Sequence, residues 1–153
     1  MARLSPAHIT QALPGATGES NTYSILPRAR VLCLAASDAD RLTQLAAVLA
    51  AGGQALWPAE CEALHQQLPE AVQEHVSLVA QWQAESVWFD AVLHHGALRA
   101  VCQAVAQRPG PIVGVTGLPA GTTDIPLERL VHERSVSVNT AAAEGNASLM
   151  TIG

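Results

Sequence analysis

The sequence predicts an α/β fold built on an open, mostly parallel sheet, and three observations point there. Several short apolar runs, at residues 29–36, 87–93 and 112–115, lack polar alternation, as strands buried on both faces do. Between them stand segments whose apolar residues recur every three or four positions, the spacing of a helix with one buried face. The two patterns alternate from about residue 29 to 117. Units of that length stack as β–α repeats into a parallel sheet with helices on both sides.

The first strand, residues 29–36 (ARVLCLAA), leads to Ser37, a residue type that caps helix N-termini. Asp38 and Asp40 follow in the first turn, where the helix dipole favours anions. The helix carries Ala39, Leu42, Leu45, Ala46 and Leu49 on one stripe, and Gly52-Gly53 ends it. A second strand spans 54–57 and stops at Pro58. Residues 59–75 read as helix, with Leu64, Leu68 and Val72 at spacing four and a break at Pro69. Residues 76–79 form a short strand candidate, and 87–93 (VWFDAVL) a stronger one. Leu98, Val101, Cys102 and Val105 mark an amphipathic helix closed by Pro109-Gly110, and 112–115 is the last buried strand. This block has the element order of a Rossmann-like domain.

The two ends follow a different pattern. Residues 22–26 (TYSIL) and 135–139 (SVSVN) alternate polar and apolar side chains, the mark of half-buried strands. They pair in this reading as a two-stranded antiparallel flap, which is marginal alone and needs a larger body to pack on. The chain therefore divides into 1–28, an N-terminal segment with one flap strand; 29–126, the Rossmann-like domain; and 127–153, the second flap strand and a C-terminal segment. That last stretch, NTAAAEGNASLMTIG, has one charge and mostly small side chains, with Leu149, Met150 and Ile152 as an apolar anchor. It reads as a docking segment.

Composition excludes several functions. The chain has 153 residues, eight basic and thirteen acidic, for a net charge of −5. Every basic residue is arginine. With no lysine there is no Walker A loop and no Schiff-base or lysine-activated nucleophile. An acidic chain with scattered arginines offers no nucleic-acid footprint. No run approaches the ~20 apolar residues of a membrane span, and the first residues lack the apolar core of a signal peptide. Cys33, Cys61 and Cys102 are odd in number, far apart and set in apolar patterns, so they read as small buried hydrophobes. A reduced, cytoplasmic protein is expected.

No catalytic constellation stands out. A dinucleotide site needs glycines after the first strand so that backbone can approach pyrophosphate, whereas the turn here is Leu34-Ala-Ala-Ser-Asp-Ala-Asp40. The glycine-rich stretch 114–121 reads as an exposed turn rather than an anion cradle. His94 and His95 are adjacent on a strand, so they face opposite sides and cannot chelate one metal together. His65 and His75 lack ligand spacing. Asp90, inside an apolar run, must be paired with an arginine or a backbone donor.

Residues 13–28 (LPGATGESNTYSILPR) and 127–153 (LERLVHERSVSVNTAAAEGNASLMTIG) closely resemble the late and final segments of the proline utilisation A proteins. Arg30 to Ala35, Thr43 to Ala50 and Phe89 to Val92 are similar to the long members of that family. These are bifunctional enzymes joining proline dehydrogenase to NAD-dependent L-glutamate-γ-semialdehyde (pyrroline-5-carboxylate) dehydrogenase. The resemblance implies an oxidoreductase part: a C-terminal domain like that of the aldehyde dehydrogenase superfamily, without catalytic, cofactor-binding or metal-binding residues of its own. NAD and FAD would belong to the parent enzyme, and the aldehyde dehydrogenase core, in cis or in trans, would be the partner. Asn139, Thr140, Ala141, Ala142, Asn146, Ser148, Leu149, Met150 and Ile152 would form a lid over the internal tunnel. Glu144 stands where the family usually has glycine, and its charge and Cβ weigh against that lid. The alternative is a free-standing α/β protein that binds a small molecule or nucleotide.

Overall fold

The computed structural model describes residues 9–139. In chain order these form β1 (Ile9–Leu13), β2 (Glu19–Pro27), β3 (Arg30–Leu34), α1 (Asp38–Ala51) and β4 (Gln54–Pro58). A 3₁₀ turn (Ala59–Cys61), α2 (Glu62–Gln66), α3 (Glu70–Gln73) and β5 (Val76–Val79) follow. The rest is β6 (Ala91–His95), α4 (Arg99–Ala106), β7 (Gly114–Leu118), a 3₁₀ turn (Leu127–Leu130) and β8 (Val131–Asn139). Five strands make a parallel sheet in the order β5-β4-β3-β6-β7. The remaining three make an antiparallel sheet in the order β1-β2-β8. The α/β class and its parallel Rossmann-like sheet are thus as the sequence predicts.

The strands of the parallel sheet alternate strictly between two cores. Val31, Cys33, Ala55, Trp57, Ala91 and Leu93 join Leu45, Val48 and Ala51 of α1, together with Ile125 and Leu130. Leu32, Leu34, Leu56 and Val92 face the other way, toward Phe89 and Val105 of α4. Each fully buried leucine contributes about 1.5–3 kcal/mol. The two layers are unequal. Residues 80–90, which return the chain from β5 to β6, contain no helix. The second face is therefore covered only by the eight-residue α4 and an irregular loop.

Several elements differ from expectation, each for a local reason. The predicted strand at 87–93 is displaced to Ala91–His95, because Asp90 is held at the residues that open β3 and the strand starts only after it. The Asp90 carboxylate accepts from the N–H groups of Ala29 (3.0 Å) and Arg30 (3.1 Å), and its own N–H donates to the Arg30 carbonyl at 3.0 Å. Asp90 is paired through backbone donors. The last strand begins at Gly114 rather than residue 112, and Ile112 is fully exposed. Much of the glycine-rich stretch is accordingly strand, not turn. Gly117 sits where a Cβ would lie 2.7 Å from a Leu98 methyl, so its bareness lets the start of α4 approach β7. Residues 59–75 break into three short turns, with Pro69 preceding α3.

Helix α1 starts and stops as predicted. Ser37 Oγ accepts from the Asp40 N–H at 3.2 Å, and Gly52 closes the helix in the left-handed conformation at φ 90°. Its buried face is rotated, however. Asp40, Arg41, Gln44, Leu45, Val48 and Ala51 point inward, while Leu42 and Ala46 are exposed. Hydrogen bonds near its N-terminus, rather than the apolar stripe alone, set this orientation.

The smaller sheet has three strands where two were expected. The short β1 pairs with β2 from Ile9↔Ile25 to Leu13↔Asn21, through a turn containing Gly18 at φ 86°. The flap strands also run longer than predicted, with Glu19 opposite Asn139 and Pro27 opposite Val131. Nor is β8 half-buried throughout: residues 133–139 are exposed. At the base, the Arg28 N–H donates to the Leu130 carbonyl at 2.7 Å and joins flap to body.

Candidate functional site

Strands β3 and β6 lie side by side, while the chain leaves β3 toward β4 and leaves β6 toward β7. That reversal makes their carboxyl ends a topological switch point, the place where open α/β sheets bind ligands. A crevice of about 400 Å³ lies there, lined by Leu34, Ala35, Arg41, Pro58, Trp82 and His94 among others.

The chain's own polar side chains crowd this place. The fully buried Gln44 donates from Nε2 to the Leu34 carbonyl (2.9 Å) and also lies 2.9 Å from His95 Nδ1. His95 Nε2 lies 2.9 Å from the Thr122 carbonyl. A carbonyl can only accept, so Nε2 carries the proton and Nδ1 accepts from Gln44. The two contacts fix the ring's orientation between Gln44 and the Thr122 carbonyl. Asp40 Oδ1 accepts from the Gly121 N–H at 3.0 Å and stands 3.9 Å from His95 Nε2. Arg41 donates to the Ala35 carbonyl and, at 3.4 Å, to Asp38. Together these contacts tie α1, β6 and the loop after β7 into one buried cluster.

This arrangement does not fit a dinucleotide. The turn after β3 has no glycine, and the Asp40 N–H at the start of α1 is capped by Ser37. A pyrophosphate would meet the exposed Asp38 carboxylate instead of open donors. Among the described residues no group of three or more His, Cys, Asp or Glu side chains is placed to hold a metal ion. Burial pushes the Cys33 thiol up to about 12, the nearby Arg41 only partly opposing it, so Cys33 stays protonated and inert. Burial also raises Cys61. Cys102 is only half-buried, contrary to expectation, because α4 keeps just Val105 fully inside. Among the described residues no helix is long and apolar enough to cross a membrane.

His94, on the crevice side of β6, is depressed by burial, with a backbone hydrogen bond at Gly96 opposing and His95 adding to the effect. A histidine whose folded value lies below its unfolded value of ~6.5 binds fewer protons when folded. Its penalty is absent above the unfolded value and grows as pH falls below it. His94→Gln is expected to flatten the loss of stability between pH 7.5 and pH 5.5, measured by urea unfolding at both; an unchanged slope would remove His94 as a source.

Of the predicted docking residues, Asn139 is placed at the end of β8, opposite Glu19. Thr140, Ala141, Ala142, Asn146, Ser148, Leu149, Met150 and Ile152 lie outside the described residues. Sequence reasoning missed Gln44 and Thr122. Gln44 and Arg41 do share the i, i+3, i+4, i+7 face with Leu45 and Val48, and that spacing was their one available signal.

No protein-family model matches the chain. It is 55% identical to the bifunctional protein PutA of Escherichia coli K12, over 98% of this chain and 12% of that protein. It is 54% identical to the PutA of Salmonella typhimurium LT2, over 99% of this chain and 12% of the relative. With the Rhizobium meliloti PutA it shares 39% identity over 92% of this chain, again 12% of the relative. Among solved structures, an aldehyde dehydrogenase from Brucella melitensis biovar abortus 2308 superposes with a TM-score of 0.51 at 14% identity. That match covers 71% of this chain and 26% of the other. A 3,6-anhydro-L-galactose dehydrogenase gives 0.51 at 15% identity, over 73% and 28% respectively. These likenesses concern the fold alone.

Proposed function

Because this chain belongs to the PutA family, and matches one stretch of its far longer members, we propose that it serves as the non-catalytic C-terminal domain of a bifunctional proline-catabolic oxidoreductase. The parent would oxidise proline to glutamate through pyrroline-5-carboxylate, with FAD and NAD held by other parts of the polypeptide. In this reading residues 29–126 are a dinucleotide-type body turned to a structural use. Residues 1–28 and 127–153 form the flap and the lid that cover the aldehyde dehydrogenase site and tunnel. The partner is the aldehyde dehydrogenase core.

The observation that carries this reading is the switch point, where Gln44 and His95 bond to each other and to backbone carbonyls and Asp40 accepts from the Gly121 N–H, so the chain's own polar groups occupy the place a ligand would take. A second supports it: Val136 and Val138 of β8 stand exposed, as do Ile9 and Leu13 of β1. The register puts Val136 and Val138 on one face of the thin sheet and Ile9 and Leu13 on the other, so each face offers a pair of apolar side chains to a partner. The expected result of titrating NAD into the isolated chain by calorimetry is no binding heat. A dissociation constant in the low micromolar range would defeat the non-catalytic reading and favour a free-standing nucleotide-binding protein.

A further inference from the structure

The second face of the parallel sheet is covered only by α4 and the irregular loop 80–90. A parallel sheet is normally covered on both sides, yet residues 80–90 bring no helix across. Beside α4 the consequence is an apolar surface. Trp88 is 52% exposed and Ile112 fully so, and between them a groove of about 270 Å³ has an apolar floor of Val87, Phe89, Pro111 and Val113, with Arg28, Glu85, Asp90 and Arg108 also lining it. A second cavity of about 570 Å³ continues past Cys102 and Val105 to Val115. The knob at Ile112 is held by the turn Pro109-Gly110-Pro111, with Gly110 at φ 105°, a stiff presentation for a side chain in water.

We propose that this groove is a second docking surface, seated in the assembled enzyme by an apolar segment of the same long polypeptide; the inference rests on the family reading above. Size selects that occupant over a second copy of the chain. A patch dominated by two large side chains offers a few hundred Å², short of the ~800 Å² per partner of a stable complex between free proteins. Covalent linkage removes that requirement by raising the effective concentration of the second contact. The matched relatives are long enough to supply it, since this chain covers 12% of them. The patch lies on the body, away from the exposed outer half of β8, so it fixes the domain at a second point.

The test compares hydroxyl-radical labelling of two proteins. One is the chain alone; the other is E. coli PutA with its matching 157-residue stretch replaced by this chain. Labelling at Trp88 and Ile112 is expected to fall several-fold in the hybrid, and Trp88→Ser with Ile112→Ser to lower the hybrid's Tm but not that of the chain alone. Equal labelling in both proteins would overturn the proposal. Protection of Val136 and Val138 without protection of Trp88 would overturn this surface and leave the proposed function standing; protection of neither would defeat both. A concentration-dependent dimer of the isolated chain that protects Trp88 would make a second copy the occupant. Should the hybrid not fold, the same labelling on unmodified E. coli PutA, at the positions aligned with 87–89 and 111–113, decides the question.

Discussion

Replacing His95 by alanine is expected to destabilise the chain by about 3–4 kcal/mol, from a buried cavity plus orphaned hydrogen-bond partners. The imidazole is 3% exposed and uses both nitrogens, one toward Gln44 and one toward the Thr122 carbonyl. Its removal also leaves the partly buried Asp40 without its nearby ring, with only the Gly121 N–H still donating. Urea unfolding followed by circular dichroism measures the loss. Asp40→Asn is the milder companion, because an amide oxygen still accepts from Gly121. A loss below about 1 kcal/mol for His95→Ala would mean that water replaces the ring, and that the cluster does not hold the switch point closed.

Arg108→Ala is expected to cost about 2–4 kcal/mol, since hydrogen bonds from a charged donor are worth more than neutral ones. Its guanidinium donates to the carbonyls of Trp82 (2.6 Å), Ala84 (3.0 Å) and Val87. It also lies 4.5 Å over the Phe89 ring, and Trp82 meets that ring edge-on at 6.3 Å. One side chain thus pins the loop that stands in for a helix. Hydrogen exchange should quicken across 80–90 while β3 and β4 remain protected. Arg108→Lys should recover little, because an ammonium cannot reproduce the planar fork. Uniform loss of protection over the whole chain would show that loop and sheet unfold as one unit.

Much of the fold was legible because its signals are local. Ser37 and Gly52 act through their immediate neighbours, and the apolar run around Val31 to Leu34 has one plausible environment, a strand buried on both faces. What escaped depends on distant partners. Asp90 delays the start of β6 by meeting backbone sixty residues away, so the apolar run at 87–93 misleads. The α1 stripe is rotated because Gln44 bonds to Leu34 and His95, contacts that spacing rules penalise as polar burial. The five-residue β1 alternates too briefly to separate from a loop, and it becomes a strand only by pairing with β2. The candidate site was legible chiefly as a negative, a glycine-free turn; the cluster that occupies it was not.

The proposed role of this domain is to cover the aldehyde dehydrogenase half of a larger enzyme. The most direct measurement uses the E. coli hybrid carrying this chain, with and without residues 140–153. Semialdehyde oxidation and coupled proline-to-glutamate flux are followed in each. Deletion is expected to lower both rates while the α/β body stays folded, and Glu144→Gly in the intact hybrid to raise them. Rates that are unchanged by deletion, in a hybrid that is folded and active, would contradict that role.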